Sequence, residues 1–427
     1  RKLNLPAGAN LLQAAREAGL AVNAVCGGNG TCGSCKVKLI SGNFSDITPK
    51  ETLLRQKGSL PPDERLACLT TALSDGKVHF PPESLASAQR LQLEGELNPI
   101  TLNPAVKRLD IDLSLDLTGQ KLSTAEAVRE TLKVNGYLLT DLPESMPPML
   151  TTLLEENQQK VSLVLRGQQI VAALPPDQPM LGLAVDLGTT KLAAYLVDLE
   201  TGQTLASGSA LNPQVAYGED VISRIQYADA NAHTDGAATL QKSVVEGINL
   251  LAAELTAKIG LTPAAIVDGV IAGNTAMHHL LAGLPVHNLG TAPYHPSQVD
   301  AMTITAGEIG LKLAENACVY LPPNIAGFVG GDHIAMLLAT RARHTLKTVL
   351  ALDIGTNTEI SLLHKGRHLT CSCASGPAFE GAHIRSGLRA VPGAIERVFI
   401  DGSEVKLQTI ENQPPVGICG SGILDAV

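Results

Sequence analysis

Two distant stretches of the chain share one pattern of apolar and polar positions. They read LGLAVDLGTTKLAAYLVDLETGQTLASGSA, residues 181–210, and TVLALDIGTNTEISLLHKGRHLTCSCASG, residues 348–376. Each starts with an apolar strand ending in Asp, passes through x-Gly-Thr into a second apolar strand, and turns into a third strand. The pattern therefore predicts a duplicated unit of three consecutive strands.

The tip of the first hairpin in each unit has the chemistry of a phosphate loop. Glycine lets the backbone approach a phosphate closely, and turn N–H groups and hydroxyls can bond its oxygens. We expect phosphate contacts from Gly188, Thr189, Thr190, Lys191, Gly355, Thr356, Asn357 and Thr358. Asp186 and Asp353 are placed to hold hydrated Mg²⁺. Two ordinary hairpin turns rich in Asp and Gly remain the alternative.

Further polar and glycine-rich segments lie between and after the two units. The sequence AGNTAMHHLL puts Gly273, Asn274 and Thr275 after a strand-like segment, where they could contact phosphate or position water. FVGGDH, residues 328–333, is a similar segment. SGPAFEGA contains Glu380, a lone carboxylate that we expect to orient the attacking water.

Near the N-terminus, a helical pattern and a strand pattern flank a cluster of cysteines. ANLLQAAREAGL predicts a helix from an Asn10 cap to Gly19, and CKVKLISGN predicts a strand. Between them the spacing is Cys-x5-Cys-x2-Cys, and a fourth cysteine follows 33 positions after the third. The expected metal ligands are Cys26, Cys32, Cys35 and Cys68. Four thiolates suit a [2Fe-2S] cluster, or structural zinc as the alternative; the other cysteines are expected to be small buried residues.

These patterns divide the chain into five segments. We expect a domain built around the cysteine loop, a linker, a small α/β domain whose helix is capped by Ser123, a lobe that carries the first phosphate loop and a second, incomplete lobe that carries the other. The corresponding ranges are 1–85, 86–104, 105–178, 179–346 and 347–427.

Composition limits the possible partners. The formal net charge of −9 argues against nucleic acid or an anionic membrane as the main partner. Tryptophan is absent and aromatic residues make up 3%, so the core must be aliphatic. No charge-free apolar run of about 18 residues or export signal is visible, so we expect a cytoplasmic protein. The chain begins at Arg1, and we expect the natural protein to extend beyond both of its ends.

The paired D-x-G-T segments resemble the ATPase superfamily of actin, sugar kinases and Hsp70, and the cysteine loop resembles plant- and adrenodoxin-type ferredoxins. With GNTAMHHLL, CASGPAFEGA and GICGSGI, the combination resembles the ATP-dependent reductive activators of corrinoid proteins. The resemblance covers the whole chain. It implies a multidomain α+β and α/β architecture: a β-grasp [2Fe-2S] domain, a small α/β domain and a duplicated, RNase H-like ATPase domain.

The resemblance also implies a function. A [2Fe-2S] cluster would return one electron to Co(II) of a corrinoid protein in a methyltransferase system, giving Co(I), and ATP with Mg²⁺ would drive the step. It further implies an upstream low-potential reductant and a homodimer. Two alternatives stay open: an electron carrier with a nucleotide-sensing scaffold that does not hydrolyse ATP, and an activator ATPase of a radical dehydratase.

Overall fold

The structure is a computed structural model in which 15 segments of the chain are described. They are residues 2, 6, 8–18, 20, 22, 28–81, 84, 100–113, 123–137, 146–344, 347–355, 357–374, 386–388, 390–402 and 404–426. Cys26, Thr356 and Glu380 lie outside the described residues, as do Gly19 and most of the expected linker. None of the described helices is long and apolar enough to cross a membrane.

Three short antiparallel strands and two helices form the N-terminal unit. The strands, in the order β2-β1-β3, are β1 (Lys36–Ser41), β2 (Glu64–Leu66) and β3 (Lys77–His79). The helices are α1 (Leu11–Glu17) and α2 (Pro49–Gln56). Asn10 caps α1 as predicted, because its Oδ1 accepts the N–H groups of Leu12 and Gln13 at 3.0 and 3.3 Å. Aliphatic side chains of both helices and of β1 and β2 form the core.

The middle unit is a three-stranded antiparallel sheet with two helices. Its elements are β4 (Lys107–Asp112), α3 (Thr124–Val134), α4 (Met146–Glu156), β5 (Lys160–Arg166) and β6 (Gln169–Leu174). Ser123 caps α3 as predicted, in a capping box with Glu126. One sheet face packs on the two helices through Leu163, and the opposite face joins the core of the next unit through Val164. The middle unit is therefore packed directly onto its neighbour.

A six-stranded mixed sheet forms the first ATPase-like lobe. Its strands, in the order β11-β12-β10-β7-β8-β9, are β7 (Leu181–Leu187), β8 (Lys191–Asp198), β9 (Thr204–Leu211), β10 (Ile266–Gly273), β11 (Met302–Thr305) and β12 (Cys318–Leu321). β10 is parallel to β7 and β12, so the ends of β7 and β10 meet at one edge. The helices of the lobe are α5 (Val221–Ala230), α6 (Gly236–Ala257), α7 (Thr275–Ala282) and α8 (Gly331–Ala339).

The second lobe repeats the three-strand unit of the first. β13 (Val349–Ile354), β14 (Asn357–His364) and β15 (Arg367–Ala374) form an antiparallel sheet in chain order, as β7, β8 and β9 do. The predicted repeat is therefore confirmed. A second sheet and a helix follow: β16 (Ala394–Asp401), β17 (Glu404–Thr409), β18 (Gly417–Ile418) and α9 (Gly420–Ala426). α8 packs against both β10 and β13 and so connects the two lobes.

The remaining cysteines divide into two pairs. Cys318 and Cys419 are buried, as predicted. The prediction was wrong for Cys371 and Cys373, which are exposed on β15. They lie on the same side of the sheet as the exposed Leu350, where no described element supplies a covering layer.

Candidate functional site

The first predicted phosphate loop joins β7 to β8 at residues 188–190. Asp186 lies one residue before the end of β7 and Lys191 begins β8. A Cβ on Gly188 would lie 2.7 Å from the carbonyl oxygen of Lys191, so the turn has room only for glycine. The loop therefore has the tight backbone that the sequence predicted.

The predicted Gly273–Asn274–Thr275 segment lies against this loop. Gly273 ends β10, next to Leu187 of β7, and a Cβ on it would come within 2.8 Å of the Leu187 carbonyl oxygen. Asn274 caps α7, and its Nδ2 donates to Thr189 Oγ1 at 2.9 Å. The hydroxyl of buried Thr275 donates to the Ala326 carbonyl, so it is already used within the protein.

The start of α8 approaches the same segment. A Cβ on Gly330 would lie 2.5 Å from both Asn274 Cα and the Gly273 carbonyl oxygen, so backbone meets backbone here. This contact places Asp332, in the first turn of α8, beside the phosphate loop. Asp332 was noted in the sequence but was not among the expected site residues.

The second loop, between β13 and β14, presents two carboxylates on one face. Asp353 on β13 pairs directly with Glu359 on β14, and residues directly opposite in antiparallel strands project to the same side. Glu359 accepts a hydrogen bond from Ser372 Oγ at 2.9 Å. Asn357 and Thr358, both expected to bind phosphate, begin β14.

Carboxylates from both lobes share one cleft. Burial raises the pKa of Asp186 to about 6, with a further contribution from the charge of Asp353. Burial also raises the pKa of Asp332 to about 7; the His333 N–H lowers it, and the charges of Glu359, Asp186 and Asp353 raise it again. Asp186 and Asp353, one from each repeat, are thus close enough for the charge of Asp353 to act on Asp186.

The donors in this groove fit a divalent cation that keeps most of its water. Mg²⁺ takes oxygen ligands, commonly one or two carboxylates with waters and substrate phosphates. Within the described segments no three His, Cys, Asp or Glu side chains converge as a complete metal cage. Carboxylates whose charges repel one another are nevertheless the groups whose charge such a cation would neutralise.

The cysteine loop and Cys68 come together in the N-terminal unit. Cys35 is buried just before β1, and its carbonyl accepts the Ala67 N–H at 2.8 Å, which brings β2 and the following Cys68 alongside. Asn10 Nδ2 donates to the Cys68 carbonyl at 2.9 Å. A Cβ on Gly28 would lie 3.9 Å from Cys68 Cβ. Cys32 belongs to the same loop, whereas Cys26 is not among the described residues.

Three glycines of the cysteine loop adopt a backbone conformation that residues with a side chain rarely take. Gly28, Gly30 and Gly33 have φ values of 93°, 70° and 74°, in the region that favours glycine. At Gly30 a Cβ would also lie 2.5 Å from Leu69 Cδ1. This loop can therefore wrap closely around a bound cluster, which requires inward-facing backbone N–H groups.

Four residues of the candidate nucleotide site were missed by sequence reasoning. They are Asn212, Arg224, Asp332 and Glu359. Glu359 stands in the quoted segment DIGTNTE and Asp332 in FVGGDH, so adjacency to the predicted loops was an available signal. Arg224 and Asn212 carry no local signal, because only tertiary packing brings them to the loop.

Comparisons with known proteins agree with this geometry. Residues 181–345 match the family model described as "RACo middle region", and residues 347–427 match "C-terminal domain of RACo the ASKHA domain". Residues 1–73 match the "2Fe-2S iron-sulfur cluster binding domain". The prediction of a [2Fe-2S] domain is therefore confirmed.

Relatives cover most of this chain. The "Corrinoid activation enzyme RamQ" of Eubacterium limosum is 29% identical over 417 residues, 96% of this chain and 65% of the relative. A Co(II) methylated amine-specific corrinoid protein reductase of Methanosarcina barkeri is 29% identical over 243 residues, 55% of this chain and 43% of the relative. The chain thus spans less than two thirds of the length of either relative.

A solved structure extends the comparison to the fold. The "Reductive activator for corrinoid,iron-sulfur protein" is 33% identical, with a TM-score of 0.64, over 99% of this chain and 70% of that one. The predicted multidomain fold class is confirmed by this likeness and by the family models. The chain belongs to the family of reductive activators of corrinoid proteins, which combine a [2Fe-2S] domain with an ASKHA domain.

Proposed function

We propose that this protein reductively activates a corrinoid protein, passing one electron from a [2Fe-2S] cluster to Co(II) to give Co(I), at the expense of ATP. The observation that carries the proposal is that Asp186 and Asp353, one from each repeated unit, lie near enough beside two glycine loops for the charge of Asp353 to raise the pKa of Asp186. Family membership and the names of the relatives support the corrinoid protein as target.

At the nucleotide end, the two loops would hold the phosphates of ATP. Asp186 and Asp353 would bind hydrated Mg²⁺, which neutralises charge on the phosphate oxygens. In our proposal Asp332 accepts a proton from the attacking water, and Glu380, outside the described residues, stays the predicted residue that orients this water. The Asp332 pKa of about 7 is close to the working pH, where a general base is most effective.

At the electron-transfer end, Cys26, Cys32, Cys35 and Cys68 would hold the cluster. Such a cluster supplies one electron at a potential near about −400 mV. Each shortfall of about 59 mV against the cobalt couple costs tenfold in the equilibrium of a one-electron transfer. Energy from nucleotide is therefore useful, because it can favour the conformation in which the corrinoid protein accepts the electron.

Coupling requires a nucleotide that binds one conformation better than another. α8 is suited to transmit such a preference, because it carries Asp332 at the nucleotide cleft and packs on β13 of the second lobe. Closure of the lobes around ATP would move this helix relative to β10, and hydrolysis would release it.

The remaining sequence-based predictions enter the proposal unchanged. We propose the segments 1–85, 86–104, 105–178, 179–346 and 347–427 as domains, with a methyltransferase corrinoid protein as partner. An upstream low-potential reductant would reload the cluster. A homodimer and a cytoplasmic site of action stay predictions.

The proposal is tested by phosphate release from ATP with and without a Co(II) corrinoid protein. We expect stimulation by the partner, together with appearance of the Co(I) absorption spectrum. D186N should abolish both, whereas D300N, in an exposed loop, should behave as the wild type. Electron transfer without any ATP hydrolysis would instead favour the carrier with a non-hydrolysing scaffold.

A further inference from the structure

Arg224 is buried on α5, directly behind the first phosphate loop. Its exposed fraction is 0%. Nε donates to the Gly218 carbonyl at 2.9 Å, and Nη1 donates to Gln214 Oε1 and to Met277 Sδ, both at 3.1 Å. Nη2 donates to the carbonyl of Thr189, in the loop itself. All of these acceptors are uncharged groups.

Three successive loop carbonyls are held from the protein interior. Asn212, which is also fully buried, donates through Nδ2 to the Gly188 carbonyl at 2.8 Å and through its N–H to the Thr190 carbonyl at 2.9 Å. Arg224 holds the carbonyl between them. Each of these loop carbonyls is therefore fixed by a donor of buried Asn212 or Arg224.

Fixing a carbonyl also fixes the next N–H group. In a trans peptide the C=O of one residue and the N–H of the next point in opposite directions, and the loop peptides are trans. The Gly188 and Thr189 carbonyls face the interior, so the N–H groups of Thr189 and Thr190 face the opposite side. These are the groups that a phosphate oxygen would accept from.

The charge of Arg224 adds to this geometry. Burial lowers the pKa of Arg224 to about 9, while the nearby charges of Asp220 and Glu219 raise it, so the guanidinium stays protonated at neutral pH. All of its hydrogen bonds go to neutral acceptors, and the charges of Asp220 and Glu219 offset part of the cost of burying this cation. An anion resting on the loop would offset more of it.

We propose that Arg224 is a positioning residue for phosphate binding: with Asn212 it turns the loop carbonyls inward, and its charge attracts the phosphates from behind the loop. This inference rests on the proposed function, since it assumes that the loop binds the phosphates of a nucleotide. Arg224 acts through the backbone of Thr189 and is not itself expected to touch the substrate.

The test compares R224M and R224K with R166M in the complete protein. Arg166, on β5, is a partly buried arginine, and its partner Asp268 lies away from the loop. Calorimetry would measure binding of MgATP and of magnesium pyrophosphate, which lacks the base and reports on the phosphate site alone. We expect R224M to weaken both by roughly 10- to 100-fold, as loss of charge-assisted hydrogen bonds does.

The results for R224K and R166M separate an effect on phosphate binding from a general loss of stability. R224K keeps the charge but not the fork that reaches Thr189, Gln214 and Gly218 together, so its affinity should be intermediate. R166M should bind as the wild type even if its melting temperature falls.

The experiment distinguishes a wrong role for Arg224 from a wrong nucleotide site. A folded R224M that binds both probes as tightly as the wild type would overturn the role of Arg224 while leaving the proposed function intact. Should R224M not fold, wild-type affinity in R224K would overturn it in the same way. A wild-type protein that binds neither probe would instead overturn the proposed nucleotide site.

Discussion

At the scale of single residues, the cleft contains carboxyl groups whose negative charges repel one another. Asp186, Asp332 and Glu359 all have raised pKa values, with burial as the largest cause in each case. A protein that keeps such groups together loses stability in order to hold ligands there. Removing the charge of one of these carboxyl groups should therefore raise the stability of the protein and lower its activity.

This opposition gives a prediction for D332N. The pKa of Asp332 is raised from 3.8 to about 7 in the folded protein. The folded state thus holds a proton at Asp332 that the unfolded state has lost, so the contribution of Asp332 to stability falls as pH rises from about 4 to 7. D332N, which carries no charge, should increase the free energy of unfolding at pH 8 by a few kcal/mol at most in the presence of EDTA. It should lower ATP hydrolysis by about 10²- to 10⁴-fold.

Denaturant titrations at pH 5 and 8 measure the first effect and phosphate release the second. The gain in stability should be smaller at pH 5 than at pH 8, because Asp332 is then mostly protonated in the folded wild type. D300N should change neither quantity. Hydrolysis by D332N at the wild-type rate would remove Asp332 from the role of general base.

At the scale of elements, the site depends on a close approach of α8 to the end of β10. Gly330 has φ −103° and ψ −167°, a conformation open to any residue, so the reason for glycine there is space. The neighbouring atoms belong to the backbone of residues 273 and 274 and cannot rotate away. The separation of α8 from β10 is consequently set by the absence of one methyl group.

G330A should therefore displace α8. We expect a loss of about 1–3 kcal/mol in unfolding free energy, as for other overpacked contacts. Nucleotide affinity should fall by at least about tenfold if one loop-bound hydrogen bond is lost. Gly307 offers the control, since a Cβ there would meet nothing nearer than 3.4 Å and G307A should be close to neutral. Equal effects of the two substitutions would contradict the spacing argument.

At the scale of the whole molecule, local patterns predicted what is encoded locally. The repeated strand units, the caps at Asn10 and Ser123 and the glycines of the cysteine loop follow from periodicity, capping chemistry and backbone sterics. Packing of β5 onto the first lobe and burial of Arg224 could not be predicted. The sequence of an apolar strand face does not show which neighbour it packs on, and an arginine in a helix does not show whether it is buried. The carboxylates of the cleft were predicted in part. Asp186 and Asp353 were identified from the sequence, whereas the positions of Asp332 and Glu359 depend on how α8 and β14 pack.

The contact between the lobes includes a buried polar network with a definite direction of hydrogen bonds. Thr370 donates to the Ile360 carbonyl at 3.1 Å, and Ser361 donates to Thr370 Oγ1 at 3.2 Å. Ser361 has a single proton, so its oxygen must accept from Nε2 of both His333, on α8, and His368, at 2.7 and 2.8 Å. His333 Nδ1 has no hydrogen-bond partner among the described residues, so this network requires the neutral imidazole.

Removing the shared acceptor should uncouple the lobes. S361A leaves two imidazole N–H groups without their acceptor, which costs about 1–3 kcal/mol. We expect faster hydrogen exchange in peptides from β13 to β15 and a lower unfolding temperature for the second lobe. The control is S162A, which removes a buried hydroxyl bonded to Asp110 in the middle unit. Burial lowers the pKa of His333, so the contribution of His333 to stability should fall as pH decreases below 6.5, where the unfolded state gains a proton, and this slope opposes that of Asp332. Unchanged exchange in β13 to β15 of S361A would show that the lobes are held together by other contacts, and the apolar packing of α8 on β13 would then be the element to test.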